Sequence, residues 1–463
     1  MGESEKKVPK TLKDMSPVRL IVSSFFAIII LGTSFLYLPI ASKNMHPVNF
    51  IDAMFTATSA TCVTGLTPFD TYSQWSTFGQ VIIMLLIQFG GLGIITFTTG
   101  FTLFFRKKLG LRDMQIAKEY TSGSVLNLTR LIKTIIIWSL GCEIIGALLF
   151  AIRFIPQFGI SKGIWISVFT AISAYCNAGF DIMGFIKPGS SFIEYATDPL
   201  VSLTASFLVI LGGIGFVVVS DIYSCITRKI ENPKTHPKLN LHSFIVITMS
   251  FTLLFIGTVL FMFFEYDRTL SGFNFFEKLN ISFFQSTVAR TAGFFTVPIG
   301  QEKTLTKLLT IILMFIGASS ASTGGGIKTT TFVVILATLR SVVKGYDDTV
   351  ILRHKVEKST VYKAFSLTML AFFLVSIVTA IIAVAEASKN ITVLDITFET
   401  VSAFATVGLT TGITSALSTL SKIFIMLMMF IGRVGPISFI FSVSLMKDKN
   451  SAKVLPSSKI IVG

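Results

Sequence analysis

Four short segments recur along the 463-residue chain at almost constant spacing: ATCVTGLT at 60–67, AYCNAGF at 174–180, ARTAGFF at 289–295 and ATVGLTT at 405–411. They align on Gly65, Gly179, Gly293 and Gly408, which are 114, 114 and 115 residues apart. Ten positions before each glycine stands Phe55, Phe169, Phe283 or Phe398, six before it Ser59, Ser173, Thr287 or Ser402, and one after it Leu66, Phe180, Phe294 or Leu409. Agreement at so many positions identifies a fourfold internal repeat. The shared positions are glycine, hydroxyl and apolar residues, so the chemistry they offer is that of the backbone. Glycine allows positive φ and close approach of neighbouring chains, and carbonyl oxygens turned inward can replace the hydration shell of a cation. The candidate ligands are the three residues ending at each glycine: Val63, Thr64 and Gly65; Asn177, Ala178 and Gly179; Thr291, Ala292 and Gly293; Thr406, Val407 and Gly408.

Something must hold these segments in place, and the flanking residues repeat as well. Each unit reads as a long apolar helix, a polar turn, a short helix, the glycine segment and a second long helix. The spans are 20–42, 51–60, 61–67 and 76–105 in the first unit, and 132–153, 164–174, 175–181 and 199–227 in the second. They are 242–266, 278–288, 289–295 and 304–339 in the third, and 363–385, 394–404, 405–411 and 420–446 in the fourth. A helix of about ten residues cannot cross a hydrocarbon layer that needs about twenty, so the short helices are expected to enter and leave on one side as re-entrant hairpins. Non-helical backbone at that depth is tolerated only when buried in protein or lining a water-filled cavity, a condition four such segments meet by gathering around one axis. The expected fold is an all-α polytopic membrane protein with eight spans, in which four helix, pore loop, helix repeats make a pseudo-tetrameric, channel-like arrangement in one chain. Its short helices would aim their negative C-terminal ends at the axis, favouring a cation there.

Composition agrees with a membrane setting. Hydrophobic residues make up 52% of the chain and charged residues 14%, with a mean hydropathy of +0.76, against about 25% charged residues in soluble domains. A net charge of +15 would suggest nucleic acid in a soluble chain. Here 26 of the 39 lysines and arginines lie in five polar blocks, 1–19, 106–133, 228–238, 340–363 and 447–459, which are short and lack interleaved aromatics, so no nucleic acid is expected. The positive-inside rule makes the blocks cytoplasmic, with both termini inside and an even number of spans. The organisation is then a cytoplasmic tail (1–19), repeat 1 (20–105), a loop (106–131), repeat 2 (132–227), a loop (228–241), repeat 3 (242–339), a loop (340–362), repeat 4 (363–446) and a tail (447–463). The polar start lacks a small-residue cleavage site and reads as a tail, not a signal peptide. Four cysteines without metal-ligand spacing imply no disulfide framework, and four scattered histidines argue against a catalytic or zinc cluster.

Over about residues 20–446 these features resemble the Trk, Ktr and HKT superfamily of K+ transporters. The Ktr-type membrane subunit fits better than the Trk type, which carries two more N-terminal spans where only a tail of 19 residues precedes the first span here. The run ATVGLT at 405–410 is similar to the start of a K+ channel filter, with one glycine per repeat instead of two. Some plant relatives have serine at the first filter position and favour Na+; Gly65 implies K+. The resemblance further implies K+ uptake across the plasma membrane, Na+ stimulation, and a homodimer with one pore per chain. It also implies gating by a separate cytoplasmic ring of nucleotide-binding subunits of the KtrA type, for which the basic loops are the docking surface. No nucleotide site is expected on this chain, which has no GxGxxG after a strand.

The third repeat contains GASSASTGGGIK at 317–328. Each glycine costs about 1 kcal/mol in a helix interior, so the helix is expected to break there. The resemblance implies that the intramembrane loop 317–327 is the gate, with Gly317, Ser319, Ser320, Ser322, Thr323, Gly324, Gly325, Gly326 and Lys328 taking part. The alternative is a close helix crossing of small residues. The run is not a phosphate loop, because Ile327 separates its last glycine from Lys328 and no strand precedes it. Arg433, thirteen residues into the last inner helix, costs about 2.5–3.5 kcal/mol to place at that depth and so needs an interior partner. It resembles the arginine that contacts the gating loop in this family. Arg290 is expected to brace the filter through carbonyl hydrogen bonds, and Asp52, Asn280 and Asp395, each thirteen before a filter glycine, to cap the short helices. Cys62 and Cys176 read as small residues behind the filter. Glu143 reads as paired with a neighbouring helix that the sequence does not identify. Two other functions stay open: a Na+-coupled symporter or less selective cation channel, and a multi-span membrane enzyme, which would need clustered His, Asp or Glu at membrane depth.

Overall fold

Runs of Leu, Ile, Phe and Val favour helix wherever lipid leaves the backbone no partner but itself. The structure, a computed structural model, describes residues 17–93, 128–234, 236–436 and 439, and these are mostly helical. The first unit contains α1 (Pro17–Leu36), α2 (Phe50–Cys62) and α3 (Thr77–Leu92). The second contains α4 (Leu128–Phe158), α5 (Ile160–Tyr175), α6 (Pro199–Gly213) and α7 (Phe216–Glu231). In the third are α8 (Leu241–Glu265), α9 (Phe275–Val288), α10 (Thr304–Phe315) and α11 (Thr329–Val343), and in the fourth α12 (Lys358–Ala385), α13 (Val393–Phe404) and α14 (Thr419–Val434). A two-stranded hairpin, Val350–Ile351 with His354–Lys355, lies between α11 and α12. Among the described residues, the opening helices of the four units are long and apolar enough to cross a membrane, and they expose large side chains such as Ile137, Phe251 and Phe372.

The closing helices differ from expectation. The stretches 76–105, 199–227 and 420–446 are expected to be continuous, yet their helices stop at Leu92, Gly213 and Val434, whereas the third stops at Phe315, just before the glycine run where the sequence predicts a break. In three units the break falls on Gly93, Gly215 or Gly435, with φ of 80°, 95° and 95° and ψ of 132°, 136° and 134°. Helix propensity alone does not reveal such a stop, because a lone glycine costs only about 1 kcal/mol in a helix. Helices α6 and α7 meet there at 92°. In the third unit, coil at 316–328 takes the place of the break. Residues 1–16, 94–127 and most of 437–463 lie outside the described residues, and with them the two tails, the body of the 106–131 loop and the ends of repeats 1 and 4.

In the first, second and fourth units the closing helix lies against the last turn of the short helix: a Cβ on Gly90, Gly212 or Gly432 would fall 2.0, 1.9 or 1.8 Å from the carbonyl oxygen of Thr61, Tyr175 or Phe404, each four residues before a repeat glycine. Backbone cannot swing aside as a side chain can, so Gly432→Ala must push α14 off α13. Overpacking of this kind costs about 1–3 kcal/mol and is expected to lower the melting temperature of the purified protein in detergent. A variant that melts with the wild type would show that the two helices do not pack this closely.

Each short helix also reaches the closing helix of the unit before it. Lys422 Nζ lies 2.7 Å from Asp52 Oδ1 and Lys307 Nζ 2.9 Å from Asp395 Oδ1. Trp165 Nε1 donates to Gln80 Oε1 at 2.8 Å, and Asn280 is hydrogen-bonded to Ser202 at 2.8 Å. Taken in turn, these contacts close a ring of four units. They also correct the capping expectation. The helix starts are capped upstream by Asn49, Asn274 and Thr392, leaving Asp52 and Asn280 to pair across units, while Asp395 both accepts from the Thr392 hydroxyl at 2.7 Å and meets Lys307.

Candidate functional site

The four glycine segments share one unusual backbone. Gly65, Gly179, Gly293 and Gly408 have φ of 98°, 70°, 67° and 90°, and two residues earlier Val63, Asn177, Thr291 and Thr406 have φ of 58°, 61°, 83° and 50°. Positive φ at a residue other than glycine costs about 1–3 kcal/mol and persists only where surrounding structure imposes it. The repeated hydroxyl six positions before each glycine supplies part of that constraint. The Gly65 amide donates to Ser59 Oγ at 3.0 Å, the Gly408 amide to Ser402 Oγ at 3.1 Å, and Ser173 Oγ donates to the Phe180 carbonyl at 2.6 Å. Thr287 differs, donating to Phe283 within its own helix. Phe55, Phe169 and Phe398 and all four residues after the glycines are buried.

Alternation of left-handed with ordinary residues turns successive peptides toward one side, and the intervening carbonyls meet the next segment. A Cβ on Gly65 would lie 2.4 Å from the Ala178 oxygen, on Gly179 2.7 Å from that of Ala292, on Gly293 2.9 Å from that of Val407, and on Gly408 2.1 Å from that of Thr64. The glycines thus bring all four segments together in a closed cycle. Beyond them opens a vestibule of about 230 Å³, lined by the four glycines, Asp70 and Asp181. Among the described residues, no cluster of His, Cys, Asp and Glu could hold a metal ion.

On the other side of the ring lies the coil 316–328. Ile316 pairs with Ile327 at its base, and Gly317 packs so tightly that a Cβ would lie 2.3 Å from the Gly325 oxygen. The tip sits against the third and fourth glycine segments: a Cβ on Gly324 would fall 2.2 Å from Thr291 Oγ1, and one on Gly325 2.3 Å from Thr406 Oγ1. The Asn177 side chain is hydrogen-bonded to the hydroxyls of Thr291 and Thr323 at 3.1 and 3.2 Å. The Ser319 and Thr323 amides donate to the Gly213 and Gly212 carbonyls at 3.1 and 3.3 Å, anchoring the coil on the broken end of α6. Inside it, Ser322 Oγ donates to Ser319 O at 2.7 Å, the hydroxyls of Ser320 and Thr330 meet at 3.0 Å, and Lys328 Nζ donates to Gly324 O at 2.7 Å and Gly325 O at 3.4 Å. Gly326 takes φ of 71°.

Arg433 donates to the carbonyl of Thr323 in this coil and to those of Gly90 and Gly91 at the end of α3. The Thr323 contact is the one the sequence suggested. The two on α3 were missed, since nothing local marks Gly90 and Gly91 as acceptors for a residue more than 340 positions away. Arg290 departs from expectation: its guanidinium donates to Ser250 O at 3.3 Å and Ser250 Oγ at 3.1 Å on α8, not to filter carbonyls. It sits at the foot of the third glycine segment, but its side chain reaches the opening helix of its own unit. Cys62 and Cys176 are buried beside the filter segments.

The profile of the TrkH family, described as cation transport protein, matches residues 4–453. The Ktr system potassium uptake protein B of Bacillus subtilis (strain 168) is 39% identical, with all of both chains covered. The potassium/sodium uptake protein NtpJ of Enterococcus hirae is 36% identical over 97% of this chain and 98% of its own. The crystal structure of the potassium transporter TrkH from Vibrio parahaemolyticus shares the fold, with a TM-score of 0.69 at 16% identity over 96% of this chain and 87% of that one. These relatives are ion transporters, not enzymes. A fourfold glycine repeat, the ring its segments close and a full-length match together place this chain in the TrkH family of cation transport proteins.

Proposed function

We propose that the chain takes up K+ through a pore at the centre of the ring, with residues 63–65, 177–179, 291–293 and 406–408 as its selectivity filter. The observation that carries this reading is the closed cycle in which each filter glycine faces a carbonyl of the next segment. Oxygens so placed can take over the coordination that a dehydrating cation loses. The four units act as a pseudo-tetramer with eight spans, each broken closing helix counting as one. The coil 317–327 is the gate, Arg433 latches it, and Lys328 holds its tip by charge-assisted hydrogen bonds. The names of the relatives, one a potassium and one a potassium/sodium uptake protein, support K+ as cargo and a part for Na+ in transport, which this reading takes to be that of an activator. A homodimer in the cell membrane, with both termini cytoplasmic and a nucleotide-binding ring on the basic loops, completes the reading.

Uptake of K+ or radioactive rubidium into vesicles holding the purified chain, with Na+ varied on each side, tests it. Uptake driven by an inside-negative potential and competed by K+ but weakly by Na+ is expected. Strict dependence on a Na+ gradient would make the chain a symporter instead, and no cation flux with or without the regulatory ring would reject the pore.

A further inference from the structure

Glu143 is a buried carboxylate in α4, only 5% exposed, and no step above uses it. Gln88 Nε2 on α3 donates to both of its oxygens, at 3.1 and 3.2 Å. Cys176, the residue before Asn177, places its thiol 3.6 Å from Gln88 Oε1 and 3.9 Å from Glu143 Oε1. Three elements therefore close a polar triangle in apolar surroundings: the closing helix of the first unit, the opening helix of the second, and the root of the second filter segment. The matching positions, 36 before the filter glycine, hold Ile29, Gly257 and Phe372 in the other units, so this tie is peculiar to the second. A carboxylate at such depth is retained only where it is bonded. Its surroundings are also tight, since a Cβ on Gly91 would lie 2.6 Å from the Cys176 sulfur. Gly90 and Gly91, just beyond Gln88 on α3, are the residues whose carbonyls accept from Arg433. Glu143 thus stands where the filter root and the anchor of the gate's arginine meet.

We propose that Glu143 is a positioning residue for ion selection: bonded to Gln88 and Cys176, it sets the distance between the second filter segment and the end of α3. The inference rests on the reading of 177–179 as part of the filter. Removing this buried, hydrogen-bonded side chain should move the Asn177 to Gly179 carbonyls away from the spacing that suits K+, and that change falls on ion binding before it falls on throughput.

The test is a transport series in vesicles on E143A, E143Q, Q88A and the E143A/Q88A pair, with G179S as a control on the filter itself. E143A is expected to raise the KM for K+ about tenfold and reduce K+ over Na+ discrimination while changing maximal uptake less. E143Q keeps an acceptor oxygen for Gln88 and is expected to restore both. The double variant should be no worse than E143A alone, because both substitutions break one tie. Wild-type KM and selectivity in E143A with only a lowered melting temperature would make the residue structural and overturn the proposal. So would an E143Q as impaired as E143A, since charge and not hydrogen bonding would then be responsible. If E143A does not accumulate, Q88A breaks the same bonds from the other side, and an unchanged KM in Q88A overturns the proposal equally. Altered selectivity in G179S with none in E143A or Q88A rejects this inference alone, whereas unaltered selectivity in G179S rejects the filter reading beneath it.

Discussion

Serine in place of Gly408 is expected to cost the protein most of its preference for K+ over Na+. The added Cβ would lie 2.1 Å from the Thr64 oxygen, and the residue holds φ of 90°. That conformation alone penalises an L side chain by about 1–2 kcal/mol. The overlap must then be relieved by moving a carbonyl of the first unit, which the buried surroundings resist. Because every 1.4 kcal/mol is about tenfold in an equilibrium, a misplaced ring should reduce K+ over Na+ discrimination at least about tenfold. The same substitution at Gly65, with a contact of 2.4 Å, should approach this effect, and Gly293, whose nearest contacts are at 2.9 Å, should be the mildest. Competition of Na+ against rubidium uptake for the four single variants measures the order. If all four keep wild-type selectivity and K+ affinity, the segments do not form the filter.

Neutralising the latch is expected to do the opposite, raising flux while leaving selectivity in place. Arg433 reaches Thr323 of the coil in the third unit and the Gly90 and Gly91 carbonyls in the first, so one guanidinium on the fourth unit ties the coil to the end of α3. Hydrogen bonds from a charged donor are worth about 1.5–3 kcal/mol each. Arg433→Gln keeps one donor group and loses the fork, so the closed state should be weakened enough to raise K+ flux about tenfold or more. Deleting three residues within 319–326 should raise basal flux too, since it removes the tip that lies against Thr291 and Thr406. The combination decides whether the two act together: parts of one latch give a double variant no more active than the deletion alone, whereas independent elements give additive effects. Additivity would reject the latch, and a folded deletion variant with unchanged flux would reject the plug.

The fourfold repeat and the residues that form the ring were legible in the sequence because they depend on spacing. Residues at the same offset in successive units take the same place around an axis, so Gly65, Gly179, Gly293 and Gly408, and the hydroxyl residues six positions earlier, pair by arithmetic on the sequence. Composition likewise identified the membrane setting, and three successive glycines marked the coil at 317–327. The ends of the closing helices were not legible. Gly93, Gly215 and Gly435 look like Gly90 or Gly432, which remain inside helices, and only the backbone's positive φ separates a stop from a close crossing. Cross-unit partners were also hidden. Lys422 joins Asp52 across 370 residues, Gln88 joins Glu143 across 55, and Arg433 joins Gly90 across 343, contacts set by how helices pack around the axis and by no local pattern. Arg290 shows the same limit: its place at the foot of the filter could be read, but the direction of its side chain could not. Sequence by itself determined what repeats, because translation along the chain maps onto position in the cycle that the four glycine segments close. Tertiary structure decided what buried groups such as Asp52, Glu143 and Arg433 bond to, because an unpaired polar group is costly in a low-dielectric interior, and which acceptor lies in reach depends on how the helices pack.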